Sequence, residues 1–361
     1  MSLNLTSYTV SLGMHNQKKV IWIAFSKDPV LINNLRTAFP AARWSATHRM
    51  WYLPDMASIR SYFHIPLATF DKHHFSKISP QNQVALQHFT DTLTLKGYSA
   101  NTLRSYTTEF LHLLTTLKAH AVSDLSPEKL RSYFLYCHKE LNMTENHLHA
   151  RVNAIKFYFE QVLHRPAMFF EIPRPQKPSS LPKVISTHDI KKLFSVVENP
   201  KHLLMLKLCY GMGLRVSEIA KLKIADIDSK RMQVLIACAK GKKDRYVPLP
   251  QETLAALRAY YQSYKPKEYL FEGQYVGAIS VRSIQAVFKS AMEKAKIKKA
   301  VGIHSLRHSY ATHLLEYGTD ITLIQKLLGH NDLKTTMLYA KVSNVNVEAV
   351  KSPLDRLSSS D

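Results

Sequence analysis

Between Ile172 and Pro182 the chain reads Ile-Pro-Arg-Pro-Gln-Lys-Pro-Ser-Ser-Leu-Pro. Each proline removes a backbone donor and fixes φ, so four in eleven residues exclude a helix interior and a central strand. What remains is an extended linker over 172–182. The segments on either side must therefore bury hydrophobic cores of their own. With 361 residues in all, each side is long enough to do so.

Upstream, residues 1–76 carry short alternating runs, Tyr8-Thr-Val10-Ser-Leu12 and Val20-Ile-Trp22-Ile-Ala-Phe25. A helical stretch from Pro29 to Phe39 follows, then Arg43-Trp44 and the aromatic pair Trp51-Tyr52. This pattern predicts a small α/β module whose aromatics form a core. The basic run Asp71–Lys77 leads into residues 80–171, where the period becomes helical. Leu103, Tyr106, Phe110, Leu113 and Leu117 form one stripe behind an N-cap at Ser99; Leu148, Val152, Ile155, Phe159 and Val162 form another. Ser126-Pro127 marks a further helix start. Short connections between such helices predict a four-helix bundle.

Downstream, residues 183–361 open with Ser186-Thr-His-Asp189, a capping box with aspartate in place of glutamate. The rest reads as mostly helical around one β-hairpin. Met232, Val234, Ile236 and Cys238 alternate, Gly241–Asp244 turns, and Arg245–Leu249 returns. The expected fold class is mainly α. It combines the α/β module, the helical bundle, and a mixed but mostly helical C-terminal domain with a tail. Cys137, Cys209 and Cys238 lack metal-ligand or redox spacing and read as small buried hydrophobes.

Charge narrows the partner. The 49 lysines and arginines exceed the 27 acids by 22, which points to a polyanion such as a nucleic-acid backbone. With 45% hydrophobic and 21% charged residues the chain is of globular class. No run reaches the eighteen or so apolar residues of a membrane span, and the N-terminus lacks a secretory pattern. The expected location is the cytoplasm.

One constellation carries chemistry. Gly213-Leu-Arg215-Val-Ser-Glu218 is followed by Lys240-Gly-Lys242-Lys243-Asp-Arg245, His304-Ser-Leu-Arg307-His308, Leu-Leu-Gly329-His330, and Tyr339 in Thr-Thr-Met-Leu-Tyr-Ala. Arginine forks bind two phosphate oxygens at once. Histidine exchanges protons near neutral pH, and a positioned tyrosine can become a covalent nucleophile. His304 and His308 have the i, i+4 spacing of metal ligands. However, no acid stands at the second position, and the cation Arg307 lies between them.

In kind and order these motifs resemble those of the tyrosine recombinase (phage integrase) family, with the likeness covering roughly residues 80–361. The resemblance implies that residues 80–171 are a SAM-like core-binding domain and 183–361 the catalytic domain. It implies that Tyr339 is the nucleophile and that Arg215 and Arg307 clamp the non-bridging oxygens. His304 would move the tyrosine proton, His330 would hydrogen-bond the phosphate, and Lys240 would protonate the departing 5′ oxygen. Glu218 would orient an active-site cation, while Lys242, Lys243 and Arg245 would contact the DNA backbone. Tyr310, three residues after Arg307, is the competing tyrosine and is expected to pack in the core.

The resemblance further implies double-stranded DNA as substrate, a homotetramer in the synaptic complex, and no metal or nucleotide cofactor. The extra residues 1–76 favour a mobile-element integrase over Xer-type dimer resolution, and suggest accessory DNA or a partner protein for that module. Type IB topoisomerases, integron integrases and a catalytically silent DNA-binding protein are the rival readings. The apolar positions Val342, Val345, Val347, Val350, Leu354 and Leu357 suggest a tail donated to a neighbouring subunit.

Overall fold

The computed structural model describes residues 3–65, 78–165, 181–237, 244–274 and 277–343. By backbone proximity residues 1–65 group with 181–361 in one unit, and residues 66–180 form the other. Three of the hydrophobic clusters are large. One lies in the N-terminal module, one in the bundle and one in the C-terminal domain. The 172–182 expectation falls mostly outside the described residues, as do Lys240, Lys242, Lys243, Cys238 and the tail beyond Ser343.

The N-terminal module is a four-stranded antiparallel sheet in the order β1 (Thr9–His15), β2 (Lys18–Ala24), β4 (Met50–Pro54), β3 (Arg43–Ser45). Helix α1 (Pro29–Ala38) starts where Asp28 accepts from the Val30 N–H, and α2 (Ala57–Tyr62) follows β4. Ile21, Ile23 and Leu53 meet Leu35, Phe39 and Ile59 in one core. Because strand neighbours alternate between faces, Trp22 and its cross-strand partners Ser11 and Tyr52 occupy the opposite face. Arg43, paired with Tyr52, and His15, paired with Lys18, share it. The rings of His15, Trp22, His48 and Tyr52 lie 4.5–5.6 Å apart there. Trp44 departs from the expected core role. It is 52% exposed on an edge strand, with its ring edge-on to Trp51.

The bundle comprises α3 (Pro80–Leu95), α4 (Ala100–Leu117), α5 (Pro127–Lys139) and α6 (Glu145–Phe157), the last running into a π-helical turn at Tyr158–Val162. Ser99 and Ser126 cap α4 and α5 by accepting from Thr102 and Lys129 N–H groups. Phe89, Phe110, Leu113, Ile155 and Phe159 fill the core. Arg151 is buried among them and donates from Nε to Glu109 at 2.8 Å. Burying that charge requires its partner.

The C-terminal domain is helical except for a three-stranded sheet, β5 (Ile227–Asp228), β6 (Gln233–Ile236) and β7 (Arg245–Pro248). The hairpin strands β6 and β7 pair as the alternation predicts, while β5 is too short to show a period. The helices are α7 (Thr187–Ser195), α8 (Pro200–Gly211), α9 (Val216–Lys221), α10 (Gln251–Tyr264), α11 (Val281–Lys294), α12 (His304–Glu316), α13 (Ile321–Leu328) and α14 (Leu333–Ala340). α12 is buried on nearly every side, with Leu306, Arg307, Ala311 and Thr312 at 1% exposure or less.

Candidate active site

Two glycines shape the backbone on which the site is built. After α8 the chain turns at Gly213 with φ 61° and delivers Arg215 to the start of α9. A side chain on Gly213 would run into the Tyr310 ring, so conformation and contact both require glycine. Gly329, with φ 64°, ends α13 and sends the chain back toward His330. Asp332 then accepts from the Lys334 N–H and starts α14. That helix carries Tyr339 in its last turn.

Arg307 is fully buried, and its Nη1 and Nη2 donate at 2.6 Å to the carbonyls of Gly213 and Leu328. It therefore ties both turns together. Nη2 also lies 3.2 Å from His330 Nε2. A guanidinium can only donate, so His330 accepts there and carries its proton on Nδ1, 3.0 Å from Thr336 Oγ1. The Arg307 Nε is buried and has no acceptor among the described residues. Burial and the neighbouring Arg215 pull the Arg307 pKa down to about 10, which leaves it charged at neutral pH.

Glu218 sits beneath the arginines, one helical turn after Arg215. It accepts from the Arg215 backbone N–H at 2.9 Å and from Arg215 Nη1 at 2.8 Å. Burial alone would raise its pKa. Hydrogen bonds and charge from Arg245, then those from Arg215, outweigh burial and hold it at about 2.

Arg245 corrects the sequence reading. Instead of reaching DNA, it turns inward with its side chain 8% exposed. Nη1 and Nη2 grip both oxygens of Glu218 at 2.8 and 2.7 Å, and Nε donates to the Leu327 carbonyl at 2.9 Å. With those donors satisfied by buried acceptors, the guanidinium is a structural cation. Gly329 leaves room for its stem, since a Cβ there would stand 2.9 Å from Arg245 Cδ.

Tyr339 is 3% exposed and lies over His330, ring centroids 6.2 Å apart and planes 17° from parallel. Burial raises its pKa, against the pull of Arg307 and Arg215. Its hydroxyl pairs at 3.0 Å with Nδ1 of His308, a residue given no role in the sequence reading. His304 keeps part of its surface open to solvent while its ring meets that of His308 edge-on at 4.5 Å. All three histidines are held neutral near pH 7. Burial and the surrounding cations lower His304, take His308 to about 4 and take His330 to about 3. Tyr310 packs against Ala311, Ile324, Leu328 and Tyr339, as a core residue should.

The structure thus gathers Arg215, Glu218, Arg307, His330 and Tyr339 from α9, α12, α14 and the turn between α13 and α14. A signal for His308 was present, since a helix buried all round must satisfy every polar residue it carries.

Comparison with known proteins bears on the family and the fold. The profile of the phage integrase family matches residues 183–345, and that of the SAM-like N-terminal domain of phage integrases matches 85–168. Tyrosine recombinase XerA of Pyrococcus horikoshii is 35% identical over 277 residues, covering 75% of this chain and 93% of that protein. The integrase/recombinase y4qK of Sinorhizobium fredii is 36% identical over 273 residues, covering 75% and 88%. The Tn1549 transposon integrase in complex with circular intermediate DNA superposes with a TM-score of 0.57 at 14% identity, over 76% of this chain and 98% of that one. A lambda integrase dimer bound to a core site gives 0.58 at 14%, over 74% and 97%. At such identity the likeness to the two structures is one of fold.

Proposed function

The chain belongs to the phage integrase family of tyrosine recombinases, and we propose that it cuts and rejoins double-stranded DNA through a 3′-phosphotyrosine formed on Tyr339. The observation that carries this reading is the stacking of Tyr339 on His330, itself hydrogen-bonded to Arg307. A candidate nucleophile and a phosphate clamp therefore share one buried site.

In the reaction the Tyr339 oxygen bonds to phosphorus and the bond from phosphorus to the 5′ oxygen breaks. Lys240 supplies the proton for that leaving oxygen. The 5′ hydroxyl of a second strand then reverses the step, so one phosphodiester replaces another and neither ATP nor a metal takes part. Arg215 and the Arg307 Nε, which lacks an acceptor among the described residues, stabilise charge on the non-bridging oxygens as the transition state forms. Lys242 and Lys243 contact the backbone beside the cut.

The biological setting we favour is integration of a mobile element, by a homotetramer assembled on two DNA sites in the cytoplasm. The apolar tail beyond Ser343 would link neighbouring subunits. Residues 1–76 would bind accessory DNA, a role suited to the helix-free sheet face with Lys18, Arg43, His15 and His48. Residues 1–65 hold seven lysines and arginines against two acids. Of those acids Asp28 caps α1 and Asp55 binds Arg60 at 2.6 Å. Similarity to XerA favours a second reading, Xer-type resolution of chromosome or plasmid dimers.

The test is covalent trapping on a nicked suicide DNA in the presence of EDTA. A wild-type adduct that is absent from Tyr339→Phe supports the reading. An adduct that persists in that variant sinks it. Products then separate the settings, with integration joints on one side and resolved dimers on the other.

A further inference from the structure

We propose that His308 is a further catalytic residue, which holds the Tyr339 hydroxyl and accepts its proton as the phenolic oxygen attacks phosphorus. The inference rests on Tyr339 being the nucleophile and assigns the base that activates it.

The geometry is local and direct. His308 Nδ1 stands 3.0 Å from the Tyr339 oxygen, within the range required of a general base. Its ring centroid is 5.7 Å from that of the phenol. His304, the histidine of the sequence motif, sits one helical turn earlier with its ring against His308. The hydroxyl's partner in this arrangement is therefore the histidine that follows Arg307, and His304 supports that partner.

Protonation states fit the assignment. His308 faces His304 and Arg307 of its own helix, and His330 and Tyr339 across from it. Burial first, then the charges of His304 and Arg307, lower its pKa to about 4. Neutral imidazole with its proton on Nε2 leaves Nδ1 as the acceptor. A depressed pKa alone makes a poor base, but the substrate changes the field. A phosphodiester beside Arg215 and Arg307 adds a negative charge and makes imidazolium less unfavourable. Proton transfer is thereby coupled to DNA occupancy, which protects a resting enzyme from forming a reactive phenolate.

The step balances. The phenolic O–H bond breaks and an N–H bond forms at His308 Nδ1. The tyrosine oxygen bonds to phosphorus, and the departing 5′ oxygen takes a proton from Lys240. In strand joining His308 returns its proton to the phenolate.

The test is single-turnover adduct formation by the full chain on suicide DNA, across pH 5.5–9. His308→Ala should slow cleavage by roughly 10²–10⁴-fold, the usual contribution of a general base, with DNA affinity unchanged. Its rate should climb with hydroxide where the wild type reaches a plateau, and added imidazole should restore part of it. His308→Gln, which preserves more of the side-chain volume, should be equally slow and insensitive to imidazole. A His308→Ala rate within threefold of wild type would overturn the proposal. So would a loss that leaves the pH profile unchanged and that imidazole cannot relieve, because that outcome marks a packing role. Tyr339→Phe run in parallel separates the two readings, since an adduct surviving there faults the nucleophile and not the base.

Discussion

Arg245 and Glu218 are locked by two parallel hydrogen bonds of 2.8 and 2.7 Å, with side chains only 8% and 6% exposed. The fork is the strong form of this pairing. Because Arg245 also holds the Leu327 carbonyl, it links the hairpin strand to the turn that carries His330. Arg245→Ala should destabilise the fold by about 3–5 kcal/mol, the cost of breaking a buried pair, as read by urea unfolding. Arg245→Lys cannot make the fork and should recover little. Neither should reduce the salt dependence of DNA binding. A slope smaller by about one unit would mean that Arg245 does touch a phosphate.

Acid should weaken the protein in two stages. His308 and His330 have folded pKa values of about 4 and about 3, below the ordinary histidine value of 6.5. The unfolded chain therefore takes up protons first, and stability falls as pH drops below about 6.5 toward those values. Glu218, held at about 2, adds a second loss between about pH 4.5 and 2. Melting temperatures measured from about pH 7.5 to about 2.5 should hold level at first and decline below about pH 6.5. Replacing His330 with Gln should flatten the first stage.

Removing Arg307 should be costly in two ways. Arg307→Ala leaves the Gly213 and Leu328 carbonyls without their buried donor, and each unsatisfied group costs about 1–3 kcal/mol. Cleavage should also fall by at least about 10²-fold, as for loss of an oxyanion donor. Stopped-flow cleavage at 15 °C, where the variant remains folded, separates the two effects. Gly213→Ala should lower stability without any charge change, through its φ of 61° and the Tyr310 ring.

Tyr339→Phe should bind DNA as tightly as wild type, because only a hydroxyl is lost. Tyr310→Phe should cleave normally, since that ring packs among apolar neighbours. Gel-shift and adduct assays on both variants check the assignment of the two tyrosines.

The N-terminal sheet face predicts a division of labour. Lys18→Glu with Arg43→Glu should leave cleavage of a minimal core site intact. It should weaken binding to DNA that extends beyond the core, with a salt slope smaller by about one for each phosphate no longer neutralised. Equal binding of long DNA by both proteins would remove DNA as the partner of this face.

Much of this was legible in the chain. Helical stripes marked the bundle, and serine caps at Ser99, Ser126 and Ser186 marked helix starts that the structure repeats. The family motifs named the residues that converge. Arg245 was misread because it follows two lysines and looks like the end of a basic run. Strand alternation held the answer, since Arg245 shares its face with the fully buried Val247 while Tyr246 points outward at 60% exposure. His308 was passed over because its partner lies 31 residues away, and only packing of α12 against α14 brings the two together.

The shared carboxylate of Glu218 also sets a charge count. Arg215, Arg245 and Arg307 supply three positive charges within 4.0 Å of one negative one, a net of 3 − 1 = +2, and the three histidines add none near neutral pH. A phosphodiester at rest carries one negative charge and leaves the cluster half compensated. When the tyrosine oxygen adds to phosphorus, the five-coordinate arrangement carries two, equal in size to the net charge of the arginine–Glu218 cluster, while the tyrosine proton resides on His308 beside it. A third uncancelled arginine charge would bind resting DNA more tightly without this match. Glu218, by cancelling one arginine, makes the cluster fit the fleeting state better than the stable one.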